Sequence, residues 1–408
     1  MGYALLGRVI DAVSDQPIEN GMVLTEGKRI CYAGPFEEDR IPAESKRLSV
    51  ENGTILPGFI DCHAHLTGEE DAGSFADGKL FGDQLLGAAY QCGLLLDAGF
   101  TGIRDMSEAG LYLSRAVERG ILRGPRIMPG GKVLGITSGH VDLDMTMTKE
   151  EFNRSNHLAY MVDGTEDCLR GVREQFRMGA RFIKICATGG ISSPTDRVDD
   201  VAFSDEELKT IVAEARRHHS YVCAHCTGYE GAYAALKAGI DCIEHGVMLT
   251  SREIGLMKEM DATLVTTLAV SIGVANIPGL PDWMEKKVKQ CAEANVETIR
   301  MAREAGIRIA YGTDFSNSQN SPYLQNGSEF RAMTKVGMTP MEAIRAGTIN
   351  AAHLMMNENE IGSLEEGKLA DLVIVDGDPL ADIDVLTHAD HVKLVMLGGK
   401  VEKNTIAN

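Results

Sequence analysis

The chain has 408 residues, 44% of them hydrophobic, enough for a large buried core in one barrel-sized domain with additions or in two domains. Its 59 acidic residues against 40 basic ones give a net charge of −19, which excludes the clustered Lys and Arg that nucleic acid and anionic membranes require of a partner. Nine cysteines, odd in number and irregularly spaced, suit a reducing cytoplasm better than a disulfide framework.

The first residues lack a basic segment followed by a long apolar run, so no secretory leader is expected. Nor does any segment have the unbroken apolar length of a membrane span. Up to residue 57 the chain reads as short strands parted by turns, over 5–10, 21–26 and 29–33. The end resembles the beginning, with apolar strands over 370–375 and 392–397. The two ends, 1–57 with 359–408, are therefore expected to build one small β-sandwich around a central unit over 58–358.

Within that unit a junction recurs at Asp97-Ala98-Gly99, Met178-Gly179, Ala238-Gly239 and Ala305-Gly306, where a helix ends on a glycine and a strand begins. Counting strands from these junctions gives eight, over 59–65, 101–105, 126–129, 181–186, 221–226, 241–245, 263–267 and 308–314. Ser204 with Glu207, and Thr339-Pro340 with Glu342, are capping boxes that start two of the intervening helices. Eight strands alternating with helices predict an α/β fold, a (β/α)8 TIM barrel rather than a doubly wound sheet.

Barrel chemistry sits where strands end, and the polar residues fall there. His63 and His65 close the first strand, and at this spacing two imidazoles point to one side and can grip one metal ion. Lys184 lies late in the fourth strand, His225 in the fifth, His245 at the end of the sixth and Asp314 at the end of the eighth. Each alone has an ordinary structural reading, as a core histidine, a capping aspartate or a snorkelling lysine. Together, at separate strand ends, they read as a metal site. Lys184 is the unusual member, because a buried amine is costly unless paired or neutral. Near metal ions its neutral form can take up carbon dioxide and become a bridging carbamate. A Schiff-base lysine is the competing chemistry, which the surrounding histidines disfavour. The Cys223/Cys226 pair has redox or zinc spacing but no second pair accompanies it.

These ligand positions resemble the binuclear type of the amidohydrolase superfamily, in its prolidase and imidazolonepropionase-like branch. Leu56-Pro57-Gly58-Phe59-Ile60-Asp61, leading into the paired histidines, and the stretch from Ile361 to Leu372 are similar to the same family. The resemblance implies two divalent metals, zinc by ligand type: His63, His65 and Asp314 on one, His225 and His245 on the other, and Lys184, carboxylated from carbon dioxide or bicarbonate, between them. It further implies a metal-bridging hydroxide as nucleophile, with Asp314 as the catalytic group that takes its proton and delivers it to the leaving amine. Members are usually homo-oligomers.

The loops Gly135 to Asp142 and Cys186 to Asp196 are similar to members that cleave an amide beside a free carboxylate, such as Xaa-Pro dipeptidases and N-acyl amino acid amidases. His140 is then the expected partner of that carboxylate. Where prolidase-like members carry an aromatic residue after the fifth-strand histidine, this chain has Thr227, and Tyr229 is the candidate replacement. Arg104 and Arg197 are weaker candidates for the carboxylate. The alternatives are hydrolysis of a cyclic amide and a catalytically silent scaffold, though a silent member would be expected to lose ligands.

Overall fold

The computed structural model describes residues 2–68, 80–317 and 321–406. Both ends of the chain meet in one seven-stranded sheet, made of β1 (Gly2–Val9), β2 (Ile18–Glu26), β3 (Arg29–Pro35), β4 (Lys46–Pro57), and from the far end β15 (Leu372–Asp376), β16 (Val392–Leu397) and β17 (Lys400–Asn404). The order is β17-β16-β15-β4-β1-β2-β3, antiparallel except where β1 runs parallel to β4. The pairing of β4 with β15 (Leu56↔Val373, Ile55↔Ile374) joins the two ends, and Ile55, Leu372 and Ile374 are buried on it. Sequence patterning had missed β4 and β17. Glu51-Asn52-Gly53 reads as a turn, and Asn52 does adopt a left-handed φ of 58°, but the strand continues through it.

The middle of the chain carries parallel strands: β5 (Phe59–Ala64), β6 (Phe100–Asp105), β7 (Arg126–Pro129), β8 (Val133–Gly135), β9 (Ala159–Met161), β10 (Ile183–Cys186), β11 (Val222–Cys226), β12 (Cys242–His245), β13 (Thr263–Val265) and β14 (Ile309–Ala310). They form a three-stranded sheet, β5-β6-β7, and a seven-stranded one, β14-β13-β12-β11-β10-β8-β9. The sheets touch at two places. The Arg181 amide donates to the Pro129 carbonyl (2.7 Å), while Cys62 donates to Tyr311 (2.9 Å) and Asp314 to the His63 carbonyl (2.7 Å). The last two bonds set the paired histidines of β5 beside the chain that follows β14.

Helices pack between successive strands and end as the junctions predict: Gly179, Gly239 and Gly306 cap theirs in the left-handed conformation. Both expected capping boxes form, at Ser204 and Thr339, and Thr148 and Thr250 make two more. Between the parallel strands lies a dense cluster that includes Ile60, Met128, Phe182, Cys223, Cys242 and Val265. It forms the floor on which the polar residues of the strand ends stand. All nine cysteines are free thiols, eight of them buried.

Gly312 is where β5 and the end of the eighth strand approach most closely. A Cβ there would lie 2.8 Å from the His63 Cβ and would also collide with the Val265 side chain. We expect Gly312→Ala to cost about 1–3 kcal/mol in urea denaturation, by overpacking against His63. An unchanged midpoint would mean that the close approach is not needed.

Candidate metal centre

His63, His65 and Asp314 converge so that one ligand atom from each lies within 4.8 Å of the others. His65 Nε2 is 2.9 Å and His63 Nε2 3.3 Å from the Asp314 Oδ1. Asp314 lies four residues beyond β14 with a left-handed backbone (φ 59°), and its amide donates to the His63 carbonyl (2.7 Å). Burial alone would raise its carboxyl, but the surrounding imidazoles of His63, His65 and His245, with the hydrogen bond from His65, hold it well below the usual carboxylate range.

His225 and His245 join the cluster from the neighbouring strands. The rings of His63 and His245 are 4.9 Å apart and those of His225 and His245 4.6 Å. By strict alternation His245 would face away from Glu244. Its left-handed φ of 67° ends the strand and swings the ring into the centre. Each imidazole holds one nitrogen on a partner outside the cluster: His63 Nδ1 on Glu244 (2.7 Å), His65 Nδ1 on the Met106 carbonyl (2.9 Å), His225 Nε2 on the Gly189 carbonyl (3.1 Å) and His245 Nδ1 on the Thr267 hydroxyl (2.7 Å), while His65 Nε2 faces Asp314. That leaves Nε2, Nε2, Nδ1 and Nε2 as donor atoms, a second-partner arrangement typical of metal-ligating histidines. Burial, followed by neighbouring positive charge, lowers His63 to about 4 and holds His225 well below its ordinary value; burial likewise keeps His245 low, against the Asp314 charge. Neutral imidazole is the ligating form.

Lys184 stands among them on β10, in register with Cys223 and two residues from the Cys186–His225 pair. It is 2% exposed, lies beside His63, His225 and His245, and its Nζ has no hydrogen-bond partner among the described residues. An ammonium would be strongly penalised there. Four imidazoles, a carboxylate and an orphaned amine form a donor set suited to divalent metal ions.

The structure also shows residues that sequence reasoning missed. Glu244 is fully buried and bridges His63 and Arg104, whose Nη2 donates to its Oε1 at 2.5 Å. Burial would raise the Glu244 carboxyl, yet the Arg104 and His63 charges keep it well below the ordinary range. Arg104 itself is 0% exposed and also binds the Cys62 carbonyl (2.6 Å) and the Tyr221 hydroxyl (3.0 Å). It therefore lies beneath the cluster, and the sequence-based idea that it receives a substrate carboxylate is replaced by an internal ion pair. The only sequence signal was a glutamate immediately before His245. Asp61 does related work, accepting bonds from the His63 and Thr313 amides and from the side chains of Thr313 and Asn326, while burial pushes its carboxyl up to about 6. Thr267 is held by Glu329, which accepts from Thr266, Leu268 and Ala269 on either side of it.

On the open side, the His140 ring stacks on His225 at 4.4 Å and 23°. Thr227 is occupied structurally, donating or accepting among Gly189, Val198 and Thr188. Tyr229 opens the helix Tyr229–Ala238, is 43% exposed and makes no side-chain hydrogen bond to a described residue. The structure thus brings His140 against the cluster and leaves Tyr229 outside it. Arg197 is solvated and paired with Asp199.

A model described as Amidohydrolase family matches residues 54–401. The chain is 32% identical over 409 residues to a protein of Aspergillus niger named ochratoxinase, covering 95% of this chain and 84% of that one. It is 27% identical to the imidazolonepropionase of Sphingopyxis alaskensis, over 89% of this chain and 88% of that one. Among solved structures it resembles a prolidase complexed with N-methylphosphonate-L-proline, with TM-score 0.91, 31% identity, and coverage of 99% and 100% of the two chains.

Arg104→Met would leave the Glu244 charge buried without its partner, at an expected cost of about 3–5 kcal/mol in urea denaturation. A loss indistinguishable from zero would show that Glu244 does not need this arginine.

Proposed function

The chain belongs to the amidohydrolase family and is a hydrolase; on that premise we propose that it is a binuclear metal-dependent enzyme. It cleaves the amide bond of a small substrate with a free carboxylate, an Xaa-Pro or other dipeptide or an N-acyl amino acid. The observation that carries this reading is the buried, unpartnered Lys184 amine among His63, His225 and His245. The nitrogen of a lysine amine can add to the carbon of carbon dioxide with loss of one proton. The resulting carbamate would be an anion with two oxygen donors suited to divalent metal ions.

In this reading His63, His65 and Asp314 hold one ion, His225 and His245 the other, and zinc suits the nitrogen and oxygen donors. The ions, when bound, make a water acidic near neutral pH and polarise the scissile carbonyl. Asp314 accepts the proton of that water and passes it to the departing amine nitrogen. His63 and His65 keep the carboxylate of Asp314 in place, while Glu244 and the Met106 carbonyl fix the ring orientations. His140 faces the carboxylate of the substrate, and Tyr229, at the mouth of the fifth-strand loop, is the second binding candidate.

The framework proposed for this site is a closed (β/α)8 barrel over 58–358 with a β-sandwich from 1–57 and 359–408. Support comes from hydrogen bonds at both places where the two parallel sheets meet. The dipeptide or N-acyl assignment draws on the likeness to the prolidase whose ligand is built on L-proline, and to ochratoxinase. Similarity to imidazolonepropionase favours a second reading, hydrolysis of a cyclic amide.

Two measurements follow. Asp314→Asn should lower kcat by about 100-fold or more, because it removes the proton acceptor, while metal analysis shows the ions retained; full activity would remove Asp314 from that role. In a screen of Xaa-Pro, Xaa-Arg and N-acyl amino acids beside cyclic amides, turnover is expected for the first group. Cleavage confined to rings would replace the leading reading with the second.

A further inference from the structure

Lys287, from the helix Asp282–Ala305, reaches back about ninety residues in sequence to the loop that follows β10. Its Nζ donates to the Gly190 carbonyl (2.8 Å), the Ser193 carbonyl (2.7 Å) and the Asp196 Oδ1 (2.8 Å), so all three ammonium hydrogens are used. Both side chains are largely buried, with 13% exposure for Lys287 and 3% for Asp196. An ammonium with three acceptors inside the protein ties down a loop far more firmly than an exposed ion pair does.

The other oxygen of Asp196, Oδ2, accepts from the Gly190 amide (3.1 Å) and lies 3.4 Å from His140 Nδ1. The latter contact is not aligned as a hydrogen bond, so Nδ1 is buried beside Asp196 without a hydrogen-bond partner among the described residues. On one side the His140 ring lies against His225. On the other it lies directly over the α-carbon of Gly190: a Cβ there would fall 2.5 Å from Nε2 and 2.6 Å from Nδ1. His140 therefore occupies a slot with His225 as one wall, Gly190 as the other and Asp196 at its edge. Lys287 fastens both Gly190 and Asp196.

We propose that Lys287 is a positioning residue for substrate specificity: by clamping Gly190 and Asp196 it fixes the slot that holds His140 against His225, where the carboxylate of the substrate is read. This rests on the function proposed above. Lys287 touches neither substrate nor the reacting atoms and acts through His140. An enzyme built this way recognises a carboxylate with a ring whose place is set from a distant helix, so changes at Lys287 alter which amides are accepted before they alter the rate of cleavage.

The test compares two substrates of the metal-loaded enzyme that differ only in the carboxylate, an N-acyl amino acid and the N-acyl amine that lacks it. Lys287→Met should raise KM for the acid about tenfold or more with kcat little changed, the scale of one lost hydrogen bond to a charged group, and should leave kcat/KM for the amine at the wild-type value. Gly190→Ala, which keeps Lys287 and crowds the His140 ring, should give the same pattern and decides the matter if Lys287→Met does not fold. Equal losses on both substrates, or wild-type KM for the acid in Gly190→Ala, would overturn the clamp while leaving the hydrolase reading intact. A wild-type enzyme that cleaves neither substrate would overturn that reading and the clamp with it.

Discussion

A buried amine must be paired, neutral or chemically altered, and Lys184 has no hydrogen-bond partner among the described residues. The surrounding architecture multiplies that constraint. The lysine stands on a strand whose neighbours supply His225 and, one strand further, Glu244 and His245 in adjacent register. Burial is the main reason why His63, His225 and His245 are held neutral. Neutral rings are ligands, and ligands without an ion leave the lysine uncompensated. The amine and the imidazoles together support the proposed reading, a site that takes up cations and a lysine-derived anion.

Beneath this layer, order is imposed by a second buried charge system. Arg104 and Glu244 neutralise each other inside the parallel strands, and Glu244 then fixes the ring of His63. Such a pair adds little net stability over apolar packing of the same volume, but losing one member is costly. Its value here is geometric, since it determines which nitrogen of His63 faces the centre. On the far side Glu329 performs a similar service through Thr267 for His245. The clamp of Lys287 on Asp196 repeats the device at the substrate side.

How much of this the sequence discloses depends on how local each signal is. Helix caps and strand positions are local: Gly179, Gly239 and Gly306 and the boxes at Ser204 and Thr339 stand where the residue pattern puts them. The cluster of His63, His65 and Asp314 was equally legible, because strand ends in an alternating fold must point one way. Period-two alternation failed at His245, where a left-handed residue redirects the chain, and so hid the inward-facing Glu244. Arg104 read as a weaker candidate for the substrate carboxylate, since nothing near it in sequence reveals a carboxylate 140 residues away. Strands β8 and β9, three residues each, are too short to leave a period.

The central claim is that Lys184 serves as a carboxylate. Replacing it by alanine removes the amine and leaves a cavity beside the histidines. Metal content and amide hydrolysis of Lys184→Ala, measured with and without added acetate or propionate, test the claim most directly. A small carboxylate should enter the cavity and restore both metal binding and turnover, in the absence of any lysine. Lys184→Ala that binds metal and turns over at the wild-type level without added acid would contradict the account.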